Sequence, residues 1–277
     1  MFRFARIAAP ALAAAVFVLP LASQAPALAQ GLGATAAPGE WVETEGGRVR
    51  LLLGNADPDG RVDGAIEIEL LPGWKTYWIA PGPAGIPPEF TDKGSRNVSM
   101  TGIEHPAPYG FQDAYGRATG YKDDVAFPVA FALDDPSAPA RLRLEGFLGI
   151  CDEICIPVPV AFEGDVVSGR STPFETARLL REARVALPVE GAEGALEVRL
   201  EDGSLRLTGP ALDGASEVFV APPGTLALGG GRPGTGGWTF PVERGEGAGE
   251  TVVVVRAGEG FAARETIHRP TLEPPAR

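Results

Sequence analysis

The feature that most constrains this 277-residue chain is a pair of cysteines, Cys151 and Cys155, which are its only cysteines and lie in an apolar run. Two thiols can form a disulfide only where the backbone brings their Cα atoms to within about 7 Å, as in a tight turn between strands. Residues 141–145 alternate polar and apolar side chains, and Pro157 and Pro159 interrupt the following run. We therefore expect two short strands, the second at a sheet edge, with the cysteine pair at an accessible rim.

The spacing of the pair excludes a thioredoxin-like site, in which a Cys-x-x-Cys motif opens a helix. The motif here has one residue too many, and no helical pattern follows it. Asp152 and Glu153 lie between the cysteines, and their negative charge should raise the pKa of a thiol. A pair without a stabilised thiolate favours a reductant that passes electrons on.

Residues 1–29 have the pattern of a cleaved secretory signal peptide. Arg3 and Arg6 provide the positive start, an apolar region follows, and residues 27–29 form an Ala-Leu-Ala cleavage pattern. We expect export from the cytoplasm and a mature protein that begins at Gln30. An uncleaved anchor is the alternative, which the prolines of the region disfavour. Since no later segment approaches the roughly 20 apolar residues of a membrane span, we expect the mature protein to be soluble.

The chain is acidic, with a formal net charge of −12 that becomes −14 when Arg3 and Arg6 are removed with the signal. This balance argues against nucleic acid and anionic membranes as partners. Charged residues make up 22% of the chain and hydrophobic residues 44%, which is a globular composition. An exported location also permits the two cysteines to be oxidised to a disulfide.

Periodicity divides the rest of the chain into four segments. We predict a flexible arm at 30–40, a β-sandwich domain with the cysteine pair at 41–168, a helical linker at 169–188, and a second, smaller β-sandwich at 189–277. The fold class is therefore all-β. Strands are predicted, with a hairpin formed by the first two, at 49–53, 65–70, 125–133, 142–150, 195–200, 205–208, 217–220, 238–242 and 251–255.

Within the linker, residues 172–175 read Thr-Pro-Phe-Glu, which predicts a capping box with proline at the first helical position. An amphipathic helix should follow to about Val185 and pack on one of the two domains. One face of this helix is predicted to carry Phe174, Ala177, Leu180 and Arg184. The glycine-rich segment 224–237 follows no βαβ pattern, so it predicts a mobile hairpin connection and not a phosphate loop.

Two aromatic segments have alternative interpretations. Residues 74–78 hold three aromatics, which are typical of a sandwich core or, alternatively, of a platform beside a functional site. Residues 104–121 show little period and predict a long loop that either covers the cysteine pair or packs onto the sandwich. The aromatic and histidine side chains of this loop are His105, Tyr109, Phe111, Tyr115 and Tyr121.

Three motifs together resemble a known family. The segments 72–78 (Pro-Gly-Trp-Lys-Thr-Tyr-Trp), 85–90 (Gly-Ile-Pro-Pro-Glu-Phe) and 151–157 (Cys-Asp-Glu-Ile-Cys-Ile-Pro) resemble the N-terminal periplasmic domain of the thiol:disulfide interchange protein DsbD family, including its suppressor-of-copper-sensitivity relatives. The resemblance covers roughly residues 40–165. It implies a periplasmic location and an immunoglobulin-like sandwich, a form that we extend to the second domain.

The resemblance also implies a function. The cysteine pair of the family receives electrons from a membrane-embedded partner and delivers them to periplasmic thiol oxidoreductases. By position, Cys151 and Cys155 carry over as the redox pair, and a shielding cap loop falls within 109–115, with Tyr109, Phe111 and Tyr115 as candidates. The best-known members have a longer cysteine spacing, and full-length members continue into a transmembrane conduit and a thioredoxin domain. For this chain we expect a separate membrane-embedded thiol donor, thioredoxin-like client proteins and no cofactor.

The sequence is also compatible with other functions. Most disulfides of exported proteins are structural, so a binding or assembly module with an inert disulfide is one alternative. A copper-tolerance protein is another, since sulfur ligands suit Cu(I). Beyond the cysteines the mature chain offers only Met100, His105 and His268, far apart in sequence, so we predict no metal site. No serine-centred elbow or metalloprotease helix predicts a hydrolase.

Overall fold

A computed structural model describes residues 35–83, 85–113, 116–258 and 263–274 of the protein. Over these residues the fold is mostly β, with one α-helix and several antiparallel sheets. The predicted signal peptide lies outside the described residues, as does the first part of the predicted arm. The helix in the described part of the chain is too short to cross a membrane.

The N-terminal half of the described chain forms two sheets. Sheet A has the strand order β1-β12-β11-β5-β9-β8, with β6 also pairing β11, and sheet B has the order β2-β3-β4-β10-β7. The strands are β1 (Thr35–Ala36), β2 (Val42–Thr44), β3 (Gly47–Leu53), β4 (Arg61–Leu70), β5 (Lys75–Tyr77), β6 (Glu89–Thr91), β7 (Ser99–Ile103), β8 (Tyr109–Asp113), β9 (Gly116–Tyr121), β10 (Val125–Ala132), β11 (Ala140–Cys151) and β12 (Cys155–Val166).

The hairpin of β3 and β4 confirms the first predicted strand pair. Val49 pairs Ile68 and Leu51 pairs Ile66, and all four side chains are buried. Side chains alternate between the two faces of a strand, so the intervening positions lie on the other face. There Arg50 and Glu67 form an ion pair 2.5 Å apart.

Sheets A and B pack against each other through one shared core. Each sheet contributes apolar side chains from alternate positions of its long strands, which is the pattern of two sheets that bury one face each. The largest side chains of this core are Leu51, Ile66, Ile68, Trp78, Phe127, Phe131, Leu142, Leu144, Leu148, Ile150 and Phe162.

The helix α1 (Phe174–Val185) lies where the linker pattern predicts it, but its cap differs from the prediction. Pro173 is the N-cap residue, and no side chain caps the helix. The Thr172 hydroxyl instead accepts a hydrogen bond from the Asn55 backbone N–H at 2.9 Å. The predicted capping box is wrong because this hydroxyl binds a distant loop.

The buried face of α1 also differs from the predicted one. Leu180 and Ala183 are buried, and they pack against Leu52 and Ala65 on the outer face of sheet B. Phe174 is 79% exposed and contributes nothing to that contact. The expectation that the helix packs on one of the two β regions is confirmed. Its buried stripe has fewer residues than the predicted face.

The C-terminal half adds two further sheets and a small pair of strands. Sheet C has the order β13-β22-β21-β16, sheet D has the order β14-β15-β19-β17 with β18 on β19, and β20 pairs β23. The elements are β13 (Val189–Glu190), β14 (Glu197–Glu201), β15 (Ser204–Thr208), a 3₁₀ turn (Pro210–Leu212), β16 (Ala215–Ala221), β17 (Ala227–Leu228), β18 (Arg232–Gly234), β19 (Gly237–Arg244), β20 (Gly249–Glu250), β21 (Val252–Ala257), β22 (Arg264–His268) and β23 (Thr271–Leu272).

Sheet C is buried on both faces. On β21, Val253 and Val255 belong to the core shared with sheet D, whereas Val254 belongs to the core of sheets A and B. Phe219 and Ile267 join Val254 there, and Phe219 meets Trp78 edge-on with ring centroids 6.5 Å apart. A continuous valine run suits a strand with two apolar faces.

Three loop predictions differ from the structure. The segment 104–121 contains the hairpin of β8 and β9, the glycine-rich segment 224–237 contains β17 and β18, and residues 35–36 of the predicted arm form β1. These strands have two to six residues each, too few for a clear alternation of polar and apolar side chains, and some of their pairing partners lie far away in the chain. For example, β9 pairs β5, and β1 runs parallel to β12.

Replacing Leu180 by Ala should lower the free energy of unfolding by about 2–3 kcal/mol, because it removes a buried side chain from the contact between α1 and sheet B. The matched control is Phe174→Ala on the same helix, whose exposed ring should contribute less than about 0.5 kcal/mol. Urea denaturation of both variants makes the comparison. Equal losses would contradict the buried face described above.

Candidate redox site

The cysteine pair closes the hairpin of β11 and β12. The register runs without a shift from Ala140 opposite Val166 to Cys151 opposite Cys155. The last pair brings the two Cα atoms to 4.1 Å, and the sulfurs form a disulfide. The predicted tight turn is confirmed, but the strands that it joins have 12 residues each and are not short.

The strand β12 lies one place from the edge of sheet A. Its outer side pairs only the two residues of β1, at Ala161 and Phe162, within the described residues. Pro157 and Pro159 lie before that point, opposite Gly149 and Phe147 of β11. The prediction of an edge strand is therefore wrong for β12 as a whole, since β1 lies outside it, but no neighbouring strand is described on the outer side of Pro157 and Pro159.

The two cysteines differ in their exposure to solvent. Cys151 is 1% exposed, whereas Cys155 is half-buried. In the turn between them Asp152 and Glu153 are exposed, and Ile154 is 69% exposed. The expected accessible rim is thus present for Cys155 and absent for Cys151. Because both carboxylates are exposed, their charge acts on the sulfurs through a high-dielectric surrounding and is weaker than it would be in a buried turn.

Tyr77 lies beside the disulfide on the same face of sheet A. Lys75 of β5 pairs Cys151, so Tyr77, two residues on, lies on that face as well. Its hydroxyl is 3.0 Å from Cys155 Sγ, and the side chain is fully buried. The platform interpretation of segment 74–78 therefore applies to Tyr77, while Trp78 is in the core. Tyr77 was not among the predicted site residues.

Glycines make room for the Tyr77 ring. A Cβ atom at Gly85 would lie 2.7 Å from Tyr77 Cδ1, and one at Gly149 would lie 3.0 Å from Tyr77 Cδ2. Both distances are shorter than a normal carbon contact, so a larger residue at either position would push the ring. The ring is thereby held between two glycine backbones with its hydroxyl at the sulfur.

Phe111 packs over Tyr77. Its ring centroid is 6.2 Å from that of Tyr77, and the side chain is 8% exposed. Phe111, Tyr77 and Cys151 form one apolar cluster with Ala118, against which Cys155 packs. The ammonium groups of Lys75 and Lys122 lie 5.5 and 5.4 Å from the Phe111 ring centroid, within the range of cation–π attraction.

The other two cap-loop candidates are placed differently. Tyr109 is 51% exposed and its ring stacks under the guanidinium of Arg256, away from the cluster around the disulfide. Tyr115 lies outside the described residues. Of the two candidates within the described residues, Phe111 lies in the cluster with Cys151 and Tyr109 does not.

The side chains weighed as metal ligands lie in other surroundings. His105 is buried against the Phe127 ring at a centroid distance of 4.6 Å, and His268 contacts the Thr266 hydroxyl at 3.1 Å. In the described ranges no cluster of three or more His, Cys, Asp or Glu side chains could hold a metal ion.

A comparison with protein families supplies the deciding observation. Residues 50–164 match the family described as "Thiol:disulfide interchange protein DsbD, N-terminal". This segment belongs to the DsbD N-terminal family. It includes both cysteines of the disulfide, as well as Tyr77 and Phe111, so the matched domain is the one that carries the candidate site. No curated protein sequence matches the chain.

The likeness in fold to one solved structure extends beyond the DsbD N-terminal segment. The N-terminal periplasmic domain of ScsB from Proteus mirabilis has a TM-score of 0.62 and 22% identity over 87% of this chain and 100% of that one. The covered share reaches past residue 164, so it includes C-terminal strands. The DsbD N-terminal domain of Neisseria meningitidis, in its reduced form, has 22% identity over 44% of this chain and 88% of that one, with a TM-score of 0.26.

Replacing Tyr77 by Phe should raise the pKa of Cys155 in the reduced protein by about one unit or more. The hydroxyl can donate to a thiolate on Cys155, and a hydrogen bond to a charged group contributes about 1.5–3 kcal/mol. The pH dependence of alkylation by iodoacetamide measures this pKa. Tyr121→Phe is the control, because the Tyr121 hydroxyl donates to the Pro106 carbonyl instead. An unchanged thiol pKa in Tyr77→Phe would contradict the expected hydrogen bond.

His105 should make the protein sensitive to acid. Burial lowers the pKa of His105 from 6.5 to about 3, so below pH 6.5 the unfolded chain binds a proton that the folded chain does not. Its contribution to stability is complete above pH 6.5 and is lost as the pH falls towards 3. Relative to His105→Phe, which cannot titrate, the protein should lose up to about 1.4 kcal/mol per pH unit. Denaturation curves at pH 7 and pH 5 test this, and an equal pH dependence of the two proteins would contradict it.

Proposed function

We propose that the protein is a periplasmic thiol–disulfide exchange protein that relays electrons through Cys151 and Cys155. The observation that carries this proposal is a disulfide at the end of a hairpin, with one sulfur half-buried and in contact with a tyrosine hydroxyl. Membership of residues 50–164 in the DsbD N-terminal family supports it. The predicted signal peptide supports the location, as does the periplasmic origin of the ScsB domain.

In the proposed reaction the disulfide is reduced first. A thiolate of the donor attacks Cys155 Sγ, which is more accessible than the buried Cys151 sulfur. The Cys151–Cys155 bond breaks, and Cys151 leaves as a thiolate that takes up a proton. A second donor thiolate then attacks the donor sulfur of the mixed disulfide, which releases Cys155 and leaves the donor oxidised. Two electrons pass to the cysteine pair.

The second half of the proposed cycle returns these electrons to a client. The Cys155 thiolate attacks a client disulfide and forms a mixed disulfide, and one client sulfur leaves. Cys151 then attacks Cys155 Sγ, which restores the disulfide and releases the second client sulfur as a thiol. The Tyr77 hydroxyl is placed to donate to Cys155 whenever that sulfur carries negative charge.

The proposed partners are a separate membrane-embedded thiol donor and periplasmic thioredoxin-like clients. The DsbD family supports both classes. The turn that a partner would meet presents Ile154, an apolar side chain that is 69% exposed beside Cys155. Phe111 is the residue that we propose as the cover of the sulfurs when no partner is bound. For the fold, we propose two immunoglobulin-like regions on either side of the segment 169–188.

The test is to trap each half of the pair. Cys151→Ser leaves Cys155 as a free thiol that cannot be displaced internally. It is mixed with a thioredoxin-like protein whose resolving cysteine is replaced and whose remaining cysteine is held as a mixed disulfide with thionitrobenzoate. Cys155 should attack that cysteine, release thionitrobenzoate as the leaving thiolate, and accumulate the protein–protein mixed disulfide. Cys155→Ser leaves only the buried Cys151, and it should accumulate at least about tenfold less. Non-reducing gels and mass spectrometry count the adducts. Equal trapping by both variants would overturn the assigned order, and substantial transfer by either variant would overturn the relay.

A structural disulfide is the second candidate, which the full burial of Cys151 favours. The reduction potential separates the two. An exchange site should lie at about −180 to −270 mV, whereas a structural disulfide should lie below about −300 mV. Equilibration in dithiothreitol buffers, with alkylated thiols counted by mass spectrometry, gives the value.

A further inference from the structure

The side chain of Arg256 joins sheet C to the strand that carries Phe111. Arg256 lies on β21 and is 7% exposed. Its guanidinium is ion-paired with Glu217 and, at 2.8 Å, with Glu265. Its Nη2 also donates to the backbone carbonyl of Pro108 at 3.0 Å, a buried hydrogen bond that spans 148 positions in sequence. Pro108 directly precedes β8.

The guanidinium also contacts two aromatic rings. Its Cζ lies 4.7 Å from the centroid of Tyr109 and 5.5 Å from that of Phe219. A cation at these distances from aromatic faces is attracted by the ring quadrupoles, more strongly where it is removed from water. Burial alone would lower the pKa of Arg256, but hydrogen bonds to Glu265 and Glu217 outweigh it and raise that pKa, so the guanidinium stays charged.

The position of β8 depends on the contacts that Arg256 makes with Pro108 and Tyr109. Over the described residues β8 pairs only β9, so one of its edges has no neighbouring strand. Tyr109 and Phe111 are two residues apart on β8, and they lie on the same face. Arg256 contacts Tyr109 at one end of this face, and Phe111 at the other end packs on Tyr77 in the apolar cluster that includes Cys151.

We propose that Arg256 is a positioning residue for the redox pair: it fixes β8 against sheet C and thereby keeps Phe111 over Cys155. The C-terminal sheets then set how easily a thiol reaches the disulfide. This inference rests on the proposed relay, since a cover over the sulfur matters for function only if the sulfur exchanges.

The experiment measures the rate at which dithiothreitol reduces the disulfide in the full chain. Arg256→Met keeps much of the side-chain volume and removes every hydrogen bond of the guanidinium, and it should raise the rate about tenfold. Hydrogen exchange of the amides of 109–113 should quicken with it, while the amides of β11 should stay protected. The control is Arg269→Met, which removes another arginine of the C-terminal half, one whose ion pairs are with Glu190 and Glu250. This control should leave the rate unchanged.

A double substitution tests whether Arg256 acts through Phe111. Phe111→Ala alone should speed reduction by removing the cover. In the Phe111→Ala background, Arg256→Met should raise the reduction rate by less than about a further twofold. The two effects are not independent if Arg256 acts by positioning Phe111. A full additional increase would overturn the proposal, as would an unchanged rate in the single Arg256→Met variant.

A conservative variant guards against a loss of folding. Arg256→Lys keeps a positive charge beside Glu217 and Glu265, but a single ammonium cannot reproduce the planar, multi-donor geometry that also reaches Pro108. It should raise the rate by about threefold with a cooperative unfolding transition retained. A folded Arg256→Lys protein with an unchanged rate and unchanged exchange in β8 would overturn the proposal.

The readout is independent of any partner. Dithiothreitol reduces the disulfide whether it is an exchange site or a structural disulfide. The reduction rates of the Arg256 variants therefore report only on how far Phe111 shields the disulfide. Failure of the relay would appear in the trapping experiment with Cys151→Ser. Failure of the positioning role would appear only here.

Discussion

The ladder between β11 and β12 is the constraint on which the site depends. Its unshifted register places Cys151 opposite Cys155 at the last pair, and the next strand continues the alignment with Lys75 opposite Cys151. A slip of one residue would move side chains to the other face and separate Tyr77 from the sulfurs. The long ladder makes such a slip costly, because it would also remove Leu142 and Leu144 from the core.

Around this fixed pair, the cover is held by interactions that come from elsewhere in the chain. Phe111, on the strand β8 of sheet A, packs on Tyr77 in the cluster that includes Cys151, and β8 is itself joined through Pro108 and Tyr109 to Arg256. The positions of the two cysteines are therefore fixed by the disulfide and by the hydrogen-bonded ladder of β11 and β12. The access of a thiol to the disulfide depends instead on the side-chain contacts of Phe111 and Arg256. Such contacts are weaker and can open by local unfolding.

Much of the sheet framework can be predicted from the sequence, whereas the site can be predicted only in part. The alternation around Val49 and Ile66 and the spacing of Cys151 and Cys155 are local signals, and both gave the correct hairpins. Tyr77 was recognisable only as one of several aromatics, because its role depends on strand pairing. Arg256 carried no signal at all, since its partners lie far away in sequence. The capping interpretation of Thr172 was wrong for the same reason: a distant loop uses its hydroxyl.

Sheet C has a consequence for how the protein unfolds. Because β21 contributes Val254 to one core and Val253 and Val255 to the other, neither core is complete without it. The two halves should therefore melt in one cooperative transition rather than as separate modules. A fragment that ends before sheet C would leave the apolar surface around Trp78 open to water, and such patches promote aggregation. In the folded protein the C-terminal half therefore shields apolar surface of the N-terminal sheets.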